Sequence, residues 1–327
     1  MLPFFTCMSL RFRTPTFVLL GIILASFAAQ AQTRIDPSRA AESVNLPGGL
    51  RREAPIPAGS TLGEGGSLAP STPGDQDIGE QVLLQSNERY KAFSFWLDSA
   101  AFWTDNAANV NQGEQEDWFY VGGLTLAWQP PITDRIFFDS YVDQHWYRYD
   151  ELDELDYEVG EAGAGVIVSM PELWNSVWHV RYYYERITQD IGDDPVYETH
   201  SLHFGGQKSI SINPYNRVDL ALMGSVALDT EPSILARHEY SLATGWNLKI
   251  TRKLALTLSY RLSYYDYFNL DGRQDWYHNF GVTLAYHPTP WCELAAAYNY
   301  SLNESNLDAF DYQAHLAGPS VRVTIKF

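Results

Sequence analysis

Only 2 of the 327 residues are cysteine, Lys and Arg together number 22 against 40 Asp and Glu, and long apolar runs are almost missing. Two cysteines exclude a disulfide-stapled scaffold. A formal net charge of -18 excludes a protein held on nucleic acid through phosphate contacts, because its field repels a polyanion. Only the stretch from Phe17 to Ala29 is long and apolar enough to resemble a membrane helix, and its place near the start excludes a bundle of such helices. No Cys/His metal-ligand spacing occurs, and no Gly-rich phosphate loop follows a strand, so neither a metal nor a cofactor is expected. Aromatic residues, by contrast, are abundant at 14%, with 21 Tyr and 10 Trp.

Arg11 and Arg13 precede the run Phe17-Val18-Leu19-Leu20-Gly21-Ile22-Ile23-Leu24, and small residues follow, ending Ala29-Gln30-Ala31. This order of basic, apolar and small residues predicts a secretory signal peptide over 1–31, cleaved before Gln32. Cleavage removes Cys7 and leaves Cys292 alone, so no intramolecular disulfide can form. From 32 to 89 the chain is rich in Pro, Gly and Ser, as in Ser67-Leu68-Ala69-Pro70-Ser71-Thr72-Pro73-Gly74. Such a segment buries too little apolar area to offset chain entropy, which predicts a flexible periplasmic arm. A plug in a barrel lumen is its alternative.

From about Tyr90 the texture alternates with period two. Leu254, Leu256, Leu258, Tyr260, Leu262 and Tyr264 share one face, while Ala255, Thr257, Ser259, Arg261 and Ser263 share the other. Short turns centred near Pro131, Leu173, Pro214, Thr251 and Thr289 recur about every 40 residues. Between them fall six acidic, generally longer stretches: 105–117, 150–156, 190–194, 229–232, 269–275 and 303–311. Six loops and five turns join twelve strands, so the fold class is an all-β, antiparallel, up-and-down transmembrane barrel over 90–327. Strands of roughly 13 to 15 residues exceed what a bilayer requires. Aromatics cluster toward both ends, for example Trp128, Trp174, Trp178 and Trp291 at the short turns, and Trp103, Trp118, Tyr149 and Trp276 at the acidic loops.

The chain ends Val321-Arg322-Val323-Thr324-Ile325-Lys326-Phe327. With Val323, Ile325 and Phe327 on one face, this closely resembles the C-terminal signal of Gram-negative outer-membrane β-barrel proteins. The resemblance implies recognition by the barrel-assembly machinery and residence in the outer membrane among lipid and lipopolysaccharide. No motif narrows it to one family.

Candidate chemistry is sparse. Outer-membrane phospholipases and lipid A deacylases use a His-Ser pair, commonly within His-x-Ser-Asn-Gly. The nearest match, His200-Ser201-Leu202-His203-Phe204-Gly205-Gly206, lacks the Asn and the spacing, and adjacent strand residues face opposite ways. Omptin-like proteases need acidic pairs and a histidine at the rim, for which Asp193-Asp194, Asp150-Glu151 and His145 offer the residue types. The sequence implies no enzyme.

Two charge patterns point to transport instead. Asp150, Glu151, Asp153, Glu154 and Asp156, with Asp190, Asp193 and Asp194, would concentrate cations at the outer mouth. By alternation, Asp143, Glu161, Arg181, Glu185, Asp219, Glu239, Arg261 and Glu293 line the pore, where small inward residues such as Ala243, Gly245, Ser259, Ala295 and Ala297 favour open space. The expectation is a porin-like passive channel for small polar, preferably cationic, solutes. The alternatives are a closed structural or surface-interaction barrel whose acidic loops bind divalent cations, and, last, a hydrolase.

Overall fold

The computed structural model describes residues 90–190 and 192–327; the signal peptide and arm expected over 1–89 lie outside them. Twelve strands form one closed antiparallel sheet in chain order. They are β1 (Phe93–Thr104), β2 (Asp117–Trp128), β3 (Ile136–Tyr149), β4 (Tyr157–Met170), β5 (Ser176–Thr188), β6 (Tyr197–Asn213), β7 (Asn216–Glu231), β8 (His238–Lys249), β9 (Leu254–Tyr267), β10 (Arg273–Thr289), β11 (Cys292–Ser305) and β12 (Tyr312–Lys326). The alternating segments fold this way because a closed sheet pairs its backbone groups without leaving an edge, which a hydrocarbon surround demands. Strands run from 12 to 17 residues, a wider spread than the alternation implied.

All odd-to-even connections lie at one end and all even-to-odd ones at the other. The acidic stretches are shorter than they looked in sequence. Asp117 opens β2, Arg273 and Asp275 lie within β10, and β11 continues through Asn303 to Ser305. Cross-strand pairing absorbs these residues because their side chains find partners inside the barrel rather than in solvent.

The barrel closes where β1 meets β12. Asp98 sits opposite Arg322, and the two form an ion pair with Nε to Oδ1 at 2.5 Å. At the end of the seam, Phe93 and Phe327 exchange two backbone hydrogen bonds of 3.0 Å and stack their rings at 5.6 Å. The outward face carries exposed Leu97, Val142, Leu222, Leu242, Leu284, Leu294 and Ile325. So continuous an apolar surface requires a non-aqueous neighbour.

Tyr149 is a correction to the expected aromatic belt. It faces inward, is buried, and stacks on Phe119 at 5.2 Å.

Candidate functional site: the lumen and its mouth

The inward face is a set of short-range charge networks. Arg181 on β5 reaches past β4 to Asp139 on β3, donating from Nε at 2.8 Å and also from Nη2. Gly165 makes this reach feasible: it occupies the same row, between Asp139 and Arg181, and has no side chain in the way. Gln129 donates a second bond to Asp139, which is fully buried. Arg261 donates to Glu239 at 2.6 Å and to Ser263 at 3.1 Å. Asp219 accepts from Ser209, Arg217 and Asn247. Arg273 and Asp275 form a buried bidentate pair, with the guanidinium 3.6 Å over the Phe310 ring.

One row is acidic. Asp143, Glu161 and Glu185 stand side by side on β3, β4 and β5. Thr125 donates to Asp143 and Tyr183 to Glu185, each at 2.5 Å, and His145 contacts Asp143 through Nδ1. Glu293 lies toward the short turns, where His287 meets it at 2.9 Å.

All eight expected pore-lining side chains thus sit on inward positions of the sheet, but they are not gathered at one level. Glu239 is the second residue of β8, near the long loops, whereas Asp219 is the fourth of β7, near the short turns. Asp139, Arg217, Arg273 and Asp275 were not singled out from the sequence. Alternation from Asp219 already puts Arg217 on the polar face, and the same parity from Asp143 leads to Asp139.

The lumen is also less uniformly lined by small residues than the alternation suggested. At the long-loop end an apolar cluster runs along the inner wall: Phe102, Phe119, Val121, Tyr147, Tyr157, Ile187, Tyr197 and Leu316, with Leu235 from a connecting loop. Phe102, Tyr157 and Ile187 have no exposed surface, and Tyr147 stacks on Tyr157 at 4.3 Å. Inward positions this dry are packed against other side chains, not against a wide column of water.

The long loops are stitched to one another by Asp and Asn side chains. Asp117 accepts from the backbone N–H groups of Trp118, Glu151 and Leu152. Asn111 donates to Asp308 O, Asn306 to Gly272 O, and Asn269 to Ser233 O. Arg148 spans Glu158 and Asp190. Asp150, Glu151, Asp153, Glu154, Asp190, Asp193 and Asp194 remain exposed, and Asp156 is half-buried, its Oδ1 accepting from the N–H of Tyr149.

At the opposite end, burial and then the Asp139 carboxylate push the Tyr90 phenol up to about 12; the hydroxyl donates to Gln129 O at 2.6 Å. Glu172, in a short turn, is held below the usual carboxylate range by a backbone hydrogen bond and by the Arg135 guanidinium.

The candidate catalytic groupings are not assembled. His200 points outward against Tyr182 and Tyr184, while Ser201 is buried on the inward face. His203 stacks on Tyr183 inside the barrel. His145 is buried within β3, away from the exposed Asp193 and Asp194.

No family model matches the chain, and no curated protein matches it. Among solved structures, an outer-membrane channel from Pseudomonas putida F1 superposes with a TM-score of 0.52 at 11% identity, over 72% of this chain and 96% of that one. The outer-membrane channel DcaP of Acinetobacter baumannii aligns at 0.41 and 10% identity, over 71% of this chain and 96% of that one. The KdgM porin aligns at 0.36 and 11%, over 70% and 98%. At such identity the likeness is one of architecture: the chain has the transmembrane β-barrel fold seen in the Pseudomonas putida outer-membrane channel.

Proposed function

We propose that the protein is a narrow passive channel of the outer membrane, admitting small polar solutes and preferring cations, with no enzymatic role. The observation that carries the reading is a closed barrel, apolar outside and charged inside, whose inward face includes the adjacent carboxylates Asp143, Glu161 and Glu185. Most lumenal arginines are tied to a carboxylate, so their fields are locally cancelled, while the loop carboxylates at the mouth stay exposed. That arrangement draws cations toward the entrance. Asp143, Glu161, Arg181, Glu185, Asp219, Glu239, Arg261 and Glu293 set bore and selectivity. Val323, Ile325 and Phe327 serve as the assembly signal, and the long loops face outward toward lipopolysaccharide.

A second reading follows from the dry apolar cluster at the long-loop end. It favours a barrel closed at that level, whose stitched acidic loops act as a surface element.

Single-channel conductance of the refolded mature barrel across a salt gradient separates the two. Small, stable steps with a cation-signed reversal potential, reduced in Glu161→Gln/Glu185→Gln, support the channel. Silence from protein shown to be folded rejects it in favour of the closed barrel.

A further inference from the structure

Every short turn leaves a large apolar side chain exposed: Ile132 between β2 and β3, Trp174 between β4 and β5, Tyr215 between β6 and β7, Ile250 between β8 and β9, and Trp291 between β10 and β11. Trp174 keeps 76% of its surface, and Phe327 at the barrel seam adds another exposed ring to the same edge. Single exposed apolar residues are ordinary on a protein surface, but one from each turn around a whole rim is a continuous feature. It extends the lipid-facing wall past the strand ends, where aromatic and basic side chains meet a membrane interface.

Cations accompany this ring along the arc from β6 to β11. Lys208 on β6 is paired with outward Leu220, so it stands on the lipid face, and its Nζ donates to Trp174 O. The aliphatic stem thus lies on apolar wall while the ammonium reaches the rim. In the next turn, Thr251 Oγ1 accepts from the N–H groups of Lys253 and Leu254 at 3.1 and 3.0 Å, a fold that leaves Arg252 and Lys253 exposed. Lys253 Nζ donates to Pro288 O at 2.9 Å, which ties this turn to the one carrying Trp291. Inside the barrel Arg181, Arg217, Arg261, Arg273 and Arg322 each hold a carboxylate. Lys208, Arg252 and Lys253 have none within ion-pair distance among the described residues, and the turns at 214–215, 250–253 and 290–291 contain no acidic residue.

We propose that this arc of the short-turn rim is a binding surface for anionic phospholipid. The apolar ring takes the acyl and glycerol region, and Lys208, Arg252 and Lys253 take the headgroup phosphate. The charge of the two rims fixes the choice of lipid: exposed carboxylates crowd the long-loop end and repel an anion, whereas unpaired cations at the short turns attract one. Short turns of such barrels face the periplasm, so the leaflet they meet is the inner one. The surface lies outside the lumen, so the proposal stands whether or not the barrel conducts.

Native mass spectrometry of the refolded full-length chain in detergent, given equal amounts of phosphatidylglycerol and phosphatidylcholine with the same acyl chains, tests it. Phosphatidylglycerol should be retained about fivefold over phosphatidylcholine, the scale of one Lys or Arg at an anionic surface. The two lipids should bind equally to Lys208→Gln/Arg252→Gln/Lys253→Gln, and the preference should persist in Arg135→Gln, whose cation is already held by Glu172. Quenching of tryptophan fluorescence by the brominated forms of both lipids repeats the comparison in vesicles, where the excess from phosphatidylglycerol should fall in Trp174→Phe/Trp291→Phe. Equal binding of the two lipids to the parent protein, or a preference that survives the triple variant, overturns the assignment. A dimeric mass without lipid preference also overturns it and assigns the rim to a second copy of the chain.

Discussion

Removal of Arg181 tests how the lumen is held together. Asp139 is fully buried and takes hydrogen bonds only from Arg181 and Gln129 among those described above, so Arg181→Met strands a carboxylate with one neutral donor. Breaking a buried pair from one side costs about 3–5 kcal/mol. Asp139→Asn is the gentler change, because the Arg181 side chain keeps 13% exposure and can draw on water; about 2 kcal/mol is expected, the middle of the range for an unsatisfied buried polar group. The attraction itself is about 4 kcal/mol for charges 4 Å apart at an effective dielectric near 20, comparable to the several kcal/mol each ion loses on leaving water. Asp139→Asn/Arg181→Met should therefore recover most of the loss from Arg181→Met. Reversible urea unfolding into and out of lipid vesicles measures all four proteins as a double-mutant cycle. A coupling energy below about 0.5 kcal/mol, the scatter of independent sites, would refute the claim that the pair spans β4 as one unit.

Gly165→Ala should act on the same link from the middle strand. A Cβ there falls 2.1 Å from Val180 O and 2.5 Å from the Arg181 Cα, so the strands must part, at about 1–3 kcal/mol in the same unfolding assay. Asp117→Ala removes the acceptor for three backbone N–H groups and should loosen the 150–156 loop, read as faster cleavage there by added protease while the strands stay resistant. Ultraviolet titration should lose a component ionising near pH 12 when Tyr90→Phe is compared with the parent protein. Because the folded value lies above that of the unfolded chain, the Tyr90 contribution to stability is complete below pH 10 and lost as pH rises toward about 12.

Much of the barrel was legible without coordinates. Period-two alternation from Tyr90 to Phe327 sorts side chains into two faces whatever their partners, and six acidic loops alternating with five short turns leave room for only one strand number. Orientation of the charged residues followed from the same parity, which is why Asp143, Glu161, Arg181, Glu185, Asp219, Glu239, Arg261 and Glu293 all fall on the inward positions. The misplacement of Tyr149 shows the limit of counting aromatics near loops, since an inward tyrosine at a strand end has the same sequence address as a girdle residue.

Pairing was decided by the closed sheet alone. Arg322 meets Asp98 across 224 positions of chain because closure brings the last strand against the first. Arg181 reaches Asp139 only because register sets Gly165 between them, a relation among three strands that no local pattern encodes. The outward tyrosine–histidine contacts follow the same rule. Each joins a histidine to a tyrosine on the neighbouring strand, and two of the histidines face a carboxylate from a third segment, pairings that spacing along the chain does not encode. Parity is a local property of an extended chain, whereas register and closure depend on how the whole set of strands packs.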